Sequence, residues 1–465
     1  MARDVREEDF ALEAAKRHAK MTETPVSRLV LSLAGPSIVS MMVTTVYNTV
    51  DTWFVSQLGT SAAGAVSIVF ALMAIYQAIG FLFGHGAGSN ISVNLGSGHP
   101  EAAKRYASSC LFACLLTSGA ASLLGLIFLE PLLRFLGSTE TILPFARDYA
   151  VWIIITGPLF ASSCAFNNIL RYEGHSAQAM VGLMAGNVLN MVGDPILMFG
   201  LGLGMTGAGI STAIAQVVSF GLLLSIFRRK DVVSKFRLRY VAREAGTFLD
   251  IVRVGLPSLC RQGLGSIATV LLNRECAVYG DAAIAAMGIV TKVTTFAGSV
   301  AIGIGQGFQP VSAYNFGAKI YDRVRRGFRF TVVSGTIVMT AFAILFALFS
   351  GEIISCFRDD ARVIEIGSAA LFYQALTGFF IAYSTIAGML FQSTRMSGRA
   401  TVISTMRSGL FFIPMVLLLP RWFGLLGIEL AQPCADLLAT ACCLPITENF
   451  LRKLKGGGDL QGTSA

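Results

Sequence analysis

The chain has 465 residues, of which 54% are hydrophobic and 14% charged, and its mean hydropathy is +0.66. Soluble domains carry about 25% charged residues, so this composition excludes a soluble protein and predicts lipid as the solvent. A net charge of +9 would suggest nucleic acid in a soluble protein. Membrane proteins instead hold excess Lys and Arg at the cytoplasmic face, so we expect a lipid bilayer and no nucleic acid as partner.

Apolar runs long enough to cross about 30 Å of hydrocarbon recur along the chain. They predict an all-α polytopic membrane protein with a cytoplasmic N-terminal tail at 1–27 and a cytoplasmic C-terminal tail at 451–465. The twelve predicted transmembrane helices lie near residues 30–55, 62–90, 106–129, 146–168, 177–200, 206–227, 247–273, 282–312, 327–350, 364–391, 400–420 and 424–450.

Basic residues are distributed unevenly between the connections. The tails and even-numbered loops hold about 26 Lys and Arg, against about six in the odd-numbered loops. This asymmetry puts both termini in the cytoplasm of a multi-pass protein of the inner (cytoplasmic) membrane. The basic linker at 228–246 is interpreted as a cytoplasmic anchor, with an amphipathic hinge on anionic lipid as the alternative.

The two halves of the chain repeat each other. Shifted by 221 residues, "GPSIVS" (35–40) falls on "LPSLCR" (256–261). An even number of spans per repeat makes the halves parallel, as in secondary transporters whose bundles rock against each other. The sequence contains no P-loop, metalloprotease or nucleophile-elbow motif, so we expect neither ATP, a cofactor nor catalysis. The predicted six-helix bundles are 28–227 and 247–450, joined by the linker.

One span combines several polar residues with a proline. In "GNVLNMVGDPILMFGLGLG" (186–204), Asn187, Asn190 and Asp194 are spaced i, i+3 and i+7 and share a helix face. Pro195 has no N–H for the carbonyl four residues before it. Hard oxygens suit a small cation, and a carboxylate removed from water also favours a proton. We predict a site for Na⁺ or H⁺; the alternative is a hydrogen bond from Asp194 to a neighbouring helix.

A second carboxylate lies in the first half of the repeat. Tyr47 and Asp51 share a helix face, and the span order puts Asp51 and Asp194 in the outer half of the membrane. Two such carboxylates can share a proton, whereas the alternative for Asp51 is a helix end at the water interface. The 221-residue shift places them on Leu272 and Met415, so we expect the site in the first half alone.

The second half carries basic residues within its spans. Arg261, Lys292 and Arg407 either pair with Asp436 or Glu429, or line a central substrate cavity and contact an anionic group. Both interpretations remain open at the level of sequence.

Three large residues of the first half are candidates for an adaptable substrate wall. These are Met41, Met42 and Phe166, with core packing as the alternative. Arg171 and Glu173 close the fourth span and predict a pair at the cytoplasmic surface.

Three motifs together carry a resemblance to a known family. They are "GPSIVSMMVTTVYNTVDTWFVSQLG", "NVLNMVGDPILMFGLGLGMTGAGISTAIAQ" and "GIGQGFQPVSAYNFGA". Over residues 28–450 the chain resembles the multidrug and toxic compound extrusion (MATE) transporters, closest to the branch typified by the DNA-damage-inducible F protein. The resemblance implies twelve helices in two lobes and export driven by inward Na⁺ or H⁺.

The resemblance also implies the residues of the coupling site. The tenth span has no deep carboxylate and the seventh contains Arg261, a pattern that favours a cation site in the first lobe. The implied cation ligands are Asp51, Asn190, Asp194 and Thr212. The residues that resemble positions near them are Tyr47, Tyr149 and Asn167.

We therefore expect a monomeric antiporter that exports amphipathic small molecules, antibiotics among them, in exchange for H⁺ or Na⁺. Helices of the first half would bend near Pro36 and Pro195. One alternative is a flippase or exporter of lipid-linked saccharide or another anionic amphiphile of the same superfamily. Another is a membrane receptor or structural protein with no transport cycle.

Overall fold

The computed structural model describes residues 2–456, with side chains from residue 12 onward apart from Thr60. The last part of the predicted C-terminal tail, 457–465, lies outside the described residues. Throughout the described range the regular structure is helical. The α-helices are α1 (Ala2–Thr22), α2 (Val26–Ser56), α3 (Thr60–Gly96), α4 (Pro100–Ile127), α5 (Leu129–Phe135), α6 (Leu143–Tyr172), α7 (Ser176–Pro195), α8 (Gly204–Ile226), α9 (Ala245–Ala277), α10 (Asp281–Gly317), α11 (Tyr321–Phe357), α12 (Ala361–Ser393), α13 (Ser397–Thr405), α14 (Phe412–Phe423) and α15 (Leu425–Lys455).

Two π-helical turns interrupt the spans. Ile196–Gly200 continues α7, and Met406–Phe411 joins α13 to α14. Among the described residues, eleven helical segments are long and apolar enough to cross a membrane. The predicted seventh span forms α9, a helix of 33 residues that is not among the eleven. The protein is thus an all-helical, multi-pass integral membrane protein, while the twelfth span and the side of each terminus stay predictions.

The helices form two compact units. The first contains Val39–Leu259 together with α1, and the second contains Pro25–Ile38 together with the chain from Cys260 onward. The first part of α2 therefore belongs to the second unit, and the first part of α9 to the first unit. The unit boundaries, after Ile38 and after Leu259, are separated by the same 221 residues that relate the two sequence repeats.

Small residues let the helices of the first unit approach closely. A Cβ on Gly84 of α3 would lie 2.8 Å from the Cα of Ala165 in α6. A Cβ on Gly157 of α6 would lie 2.3 Å from the ring of Tyr76. Such contacts are typical of packed membrane helices, where small side chains bring backbones together. They make α3 and α6 a rigid support for the polar residues described below.

The basic linker is held against the first unit by a buried carboxylate. Glu173, at the end of α6, is 3% exposed, and its two oxygens accept the backbone N–H groups of Val233 and Ser234, each at 2.9 Å. Arg171 is 5% exposed and bonds Asn168. The predicted surface pair of Arg171 and Glu173 is therefore wrong, because the linker folds back and covers the end of α6.

Candidate cation site and substrate cavity

Four helices of the first unit bring the predicted coupling residues together. Asp51 lies in the last two turns of α2, Tyr149 in the second turn of α6, Asp194 at the end of α7 and Thr212 in α8. Asp51, Asp194 and Tyr149 are fully buried, and Thr212 is 2% exposed. Asn190, one turn before Asp194, is 1% exposed. Burial of this many polar groups in an apolar protein requires partners for them.

A hydroxyl and amide network connects α2, α6, α7 and α8. The Tyr149 hydroxyl donates to Asp51 at 3.4 Å and lies 3.1 Å from the Thr212 hydroxyl. The Asn190 side-chain amide donates to Thr212 at 3.0 Å and to Ser211 at 3.2 Å. Ser211 was not predicted; its signal is a second hydroxyl next to Thr212 in the same span.

The two carboxyl groups face each other. Asp51 and Asp194 lie close enough for the charge of one to affect the other, and two such carboxyl groups can share one proton. The Tyr47 side chain contacts Thr212 and lies close to both carboxylates. Of the residues predicted near the site, Tyr47 and Tyr149 are therefore part of this cluster.

Several acceptor oxygens of the cluster have no donor. Within the described residues, Asp51 Oδ2, both carboxylate oxygens of Asp194 and Asn190 Oδ1 are buried without a hydrogen bond. Leaving such groups unsatisfied costs about 1–3 kcal/mol each. Carboxylate, amide and hydroxyl oxygens around one point fit a small hard cation, and a proton shared by the carboxyls would also satisfy them. The donor set fits the coupling ion expected from sequence without deciding between Na⁺ and H⁺.

The backbone after Asp194 changes its helical register. Pro195 is the last residue of α7, and the π turn Ile196–Gly200 follows directly. Gly207 of α8 packs on this turn, since a Cβ there would lie 2.7 Å from the carbonyl oxygen of Leu197. Extra turns of this kind occur often at functional sites because they shift the side chains of one helix face. Pro195 thus lies where the register changes beside the carboxylate pair.

The first unit encloses a cavity of about 310 Å³ that begins at the cluster. Asn190 and Thr212 belong to both the cluster and the cavity wall, and Arg171 lies in the lining. Much of the remaining wall is aromatic, thioether or amide: Met41, Tyr47, Phe70, Met73, Gln77, Phe81, Phe160, Asn167, Asn187 and Gln216. Such a wall suits a molecule with an aromatic body and a few polar groups.

Two of the predicted wall residues lie elsewhere. Phe166 is 1% exposed and stacks on Phe236 at 4.7 Å and on Phe220 at 5.4 Å between ring centroids, so it belongs to an aromatic core under the linker. Met42 is not in the lining, because it follows Met41 on the helix and points about 100° away.

Asn167 and Asn187, both predicted near the cation site, lie farther from it than expected. Asn167 is separated from Tyr149 by 18 residues of α6, about 27 Å along the axis, so it is not near the cation cluster. Its amide donates to the Ala179 carbonyl at 2.9 Å, in the cavity wall. Asn187 bonds the Thr44 hydroxyl at 3.1 Å, two turns before Asp194.

The basic residues of the second unit have different surroundings. Arg407 Nε donates to Asp436 Oδ1 at 2.6 Å, which confirms pairing for this residue. Arg407 also lines a second cavity, of about 230 Å³, whereas Arg261 and Lys292 do not. Leu272, the counterpart of Asp51, lies in the same wall and is 8% exposed.

These observations define a polytopic helical membrane protein whose two halves repeat in sequence and whose first half holds a buried acidic cluster. The model of the MatE family matches residues 36–196 and 257–418, once in each half. The chain belongs to this family of transporters, as the sequence motifs predicted. Family membership supports the prediction that it is a transport protein and not an enzyme.

Curated relatives align over nearly the whole chain. A protein named FAD transporter from Shewanella oneidensis is 26% identical over 94% of this chain and 98% of its own length. The multidrug export protein MepA of Staphylococcus saprophyticus is 26% identical, over 91% and 93% respectively. A solved MOP superfamily transporter from Pyrococcus furiosus has the same fold, with a TM-score of 0.88, 22% identity and coverage of 95% and 99%.

Proposed function

We propose that the chain is a cation-coupled exporter of amphipathic organic molecules, driven by inward H⁺ or Na⁺ across the cytoplasmic membrane. The observation that carries the proposal is the shared wall: Asn190 and Thr212 contact both the buried carboxylate cluster and the 310 Å³ cavity. The name of the MepA relative, a multidrug export protein, supports the substrate class. We further propose a monomer with both termini in the cytoplasm.

The proposed coupling uses this geometry as follows. An ion bound at Asp51 and Asp194 satisfies their unpaired oxygens and cancels their repulsion. Thr212 accepts a hydrogen bond from Asn190 and lies beside Tyr149, so its position responds to the charge of the pair and changes the cavity wall. The ion and the substrate thereby favour different conformations of the first unit. Such opposed preferences are required for exchange of one for the other across the membrane. The substrate leaves outward and the ion is released inward.

Transport in proteoliposomes tests the proposal. Ethidium efflux is measured first under a Na⁺ gradient alone and then under a pH gradient alone, and we expect one of the two to drive it. Asp194→Asn should abolish gradient-driven efflux and leave folding intact. Asp231→Asn, which removes a carboxylate of the linker that is 30% exposed, is the control and should transport normally. Full gradient-driven efflux by Asp194→Asn would contradict the proposal.

A second candidate is export of an anionic amphiphile, such as a flavin dinucleotide or a lipid-linked saccharide. It is favoured by Arg171, the charged residue in the lining of the first cavity, and by the relative named FAD transporter. Competition decides between the candidates: FAD should inhibit ethidium efflux only if the cavity also accepts anions.

A further inference from the structure

The second unit contains a cavity that no part of the proposed coupling uses. It has a volume of about 230 Å³ and is lined by α9, α10, α12 and α15 and by the π turn Met406–Phe411. The 221-residue shift relates its wall to the wall of the first cavity. Three apolar residues are replaced by threonines: Phe70, Met73 and Ala74 fall on Thr291, Thr294 and Thr295. The second cavity therefore has a polar wall where the first has an apolar one.

The same shift places Arg407 on Gly186, so a guanidinium enters where the first cavity has no side chain. Arg407 lies within the π turn and its side chain is 35% exposed. Among the described residues that line this cavity, Arg407 is the one with a charged side chain. The sign of charge that this cavity offers to a ligand is thus positive.

Asp436, which lies outside the cavity lining, binds the guanidinium of Arg407. It accepts from Arg407 Nε at 2.6 Å and from the Gln432 amide at 2.9 Å, is 3% exposed and does not line the cavity. This contact uses Nε and not the two Nη groups, which form the planar edge that recognises carboxylate and phosphate. The pair therefore fixes the guanidinium and keeps the charge-assisted donors available to a ligand.

Hydroxyl groups in the same cavity wall add further hydrogen-bond donors to those of Arg407. Thr291 and Thr294 donate to carbonyls of their own helix, to Met287 and Val290. Thr295 and Ser408 line the cavity and form no hydrogen bond with other described residues. A purely structural ion pair would explain Asp436, but not a partly exposed guanidinium that shares a cavity wall with two uncommitted hydroxyls.

We propose that this cavity binds the carboxylate or phosphate group of an organic anion, with Arg407, Thr295 and Ser408 as its donors. The claim that the cavity binds an anion is independent of transport. The claim that this anion is a transported substrate rests on the proposed function. It would give one transporter an acid-lined site for the coupling cation in its first unit and a donor-lined site for anions in its second.

Binding to the purified full-length protein in lipid nanodiscs tests this. Carboxyfluorescein supplies the carboxylate and flavin mononucleotide the phosphate, and anisotropy measures each. Arg407→Gln alone would leave Asp436 buried without its cation, so the test variant is Arg407→Gln with Asp436→Asn. We expect at least tenfold weaker binding of one or both probes. Lys292→Gln removes an exposed cation outside the cavity and should bind within twofold of the wild type.

The proposal would be overturned if the wild type binds neither anion. It would also be overturned if Lys292→Gln weakens binding as much as the double variant does. If the double variant does not fold, Thr295→Val with Ser408→Ala decides: threefold weaker binding supports the site, and unchanged binding overturns it. Ethidium efflux by the same purified proteins reconstituted in proteoliposomes separates the two claims, because anion binding without any gradient-driven efflux would refute the proposed function alone.

Discussion

Asp194 has two buried carboxylate oxygens that receive no hydrogen bond from the described residues, although Asn190 and Ser211 lie beside it. Asp51 differs, since one of its oxygens accepts from Tyr149. The pair is thus asymmetric: one carboxylate is anchored and the other is available. An available carboxylate next to an anchored one is the arrangement expected of a group that repeatedly gains and loses a cation.

The Tyr149 hydroxyl is predicted to set the affinity for the coupling ion. Tyr149→Phe removes its contacts with Asp51 at 3.4 Å and Thr212 at 3.1 Å. A lost hydrogen bond of about 0.5–1.5 kcal/mol should raise the ion concentration for half-maximal efflux by a factor of about 2 to 13. Tyr76→Phe removes another buried hydroxyl, bonded to Ser122 at 2.8 Å, and should leave that concentration unchanged. Equal effects of the two variants would refute a specific role for Tyr149.

Sequence alone could locate the carboxylates but not all of their surroundings. Asp51 and Asp194 stand out because charge is costly in an apolar span. The position of Phe166 depends on tertiary packing, since it packs under the linker. For Asn167 the sequence did carry the answer, because it lies 18 residues from Tyr149 within one predicted span. Glu173 was misjudged likewise, since a charged residue at a span end gives no sign that a distant linker covers it.

At the level of elements, the π turn Ile196–Gly200 depends on a single glycine of the next helix. Gly207→Ala would put a Cβ 2.7 Å from the Leu197 carbonyl oxygen and 2.9 Å from the Met198 nitrogen, so the backbone of the turn would have to shift. We expect a lower melting temperature, from about 1–3 kcal/mol of overpacking, and impaired coupling because Asp194 precedes the turn.

Gly221→Ala, in the same helix, is the matched control. A Cβ at Gly221 would have no other atom within 4 Å, so this variant should gain helix propensity and keep full activity. A Gly207→Ala protein as stable and active as Gly221→Ala would show that the turn is not held in this way.

The linker is the second element whose role is testable. Glu173→Gln replaces one acceptor oxygen by an NH2 donor, so one of the two hydrogen bonds to backbone N–H groups at 2.9 Å is lost and the other is weakened. Bonds to a charged group contribute about 1.5–3 kcal/mol each. We expect faster limited proteolysis within 228–246. Glu140→Gln, which removes an exposed ion pair with Arg134, is the control, and its linker should be cleaved at the wild-type rate. An unchanged cleavage rate in Glu173→Gln would mean that other contacts hold the linker.

For the whole molecule, the repeat could be detected because both halves keep several glycine and proline positions in common. Pro36 and Pro257 are equivalent, and each lies two residues before a unit boundary. Sequence did not predict that the first parts of α2 and α9 belong to the opposite units, since hydropathy records contact with lipid and not which helices pack together. The two units differ in charge, with acids in the first cluster and Arg407 in the second cavity.

Direct detection of ion movement tests the central claim most closely. Proteoliposomes are loaded with ethidium so that its outward gradient is the only driving force, and ion entry is followed with ²²Na⁺ or an internal pH dye. We predict ethidium-dependent entry of one of the two ions in the wild type and in Asp231→Asn, and none in Asp194→Asn. Ion entry at the wild-type rate in Asp194→Asn would contradict the account.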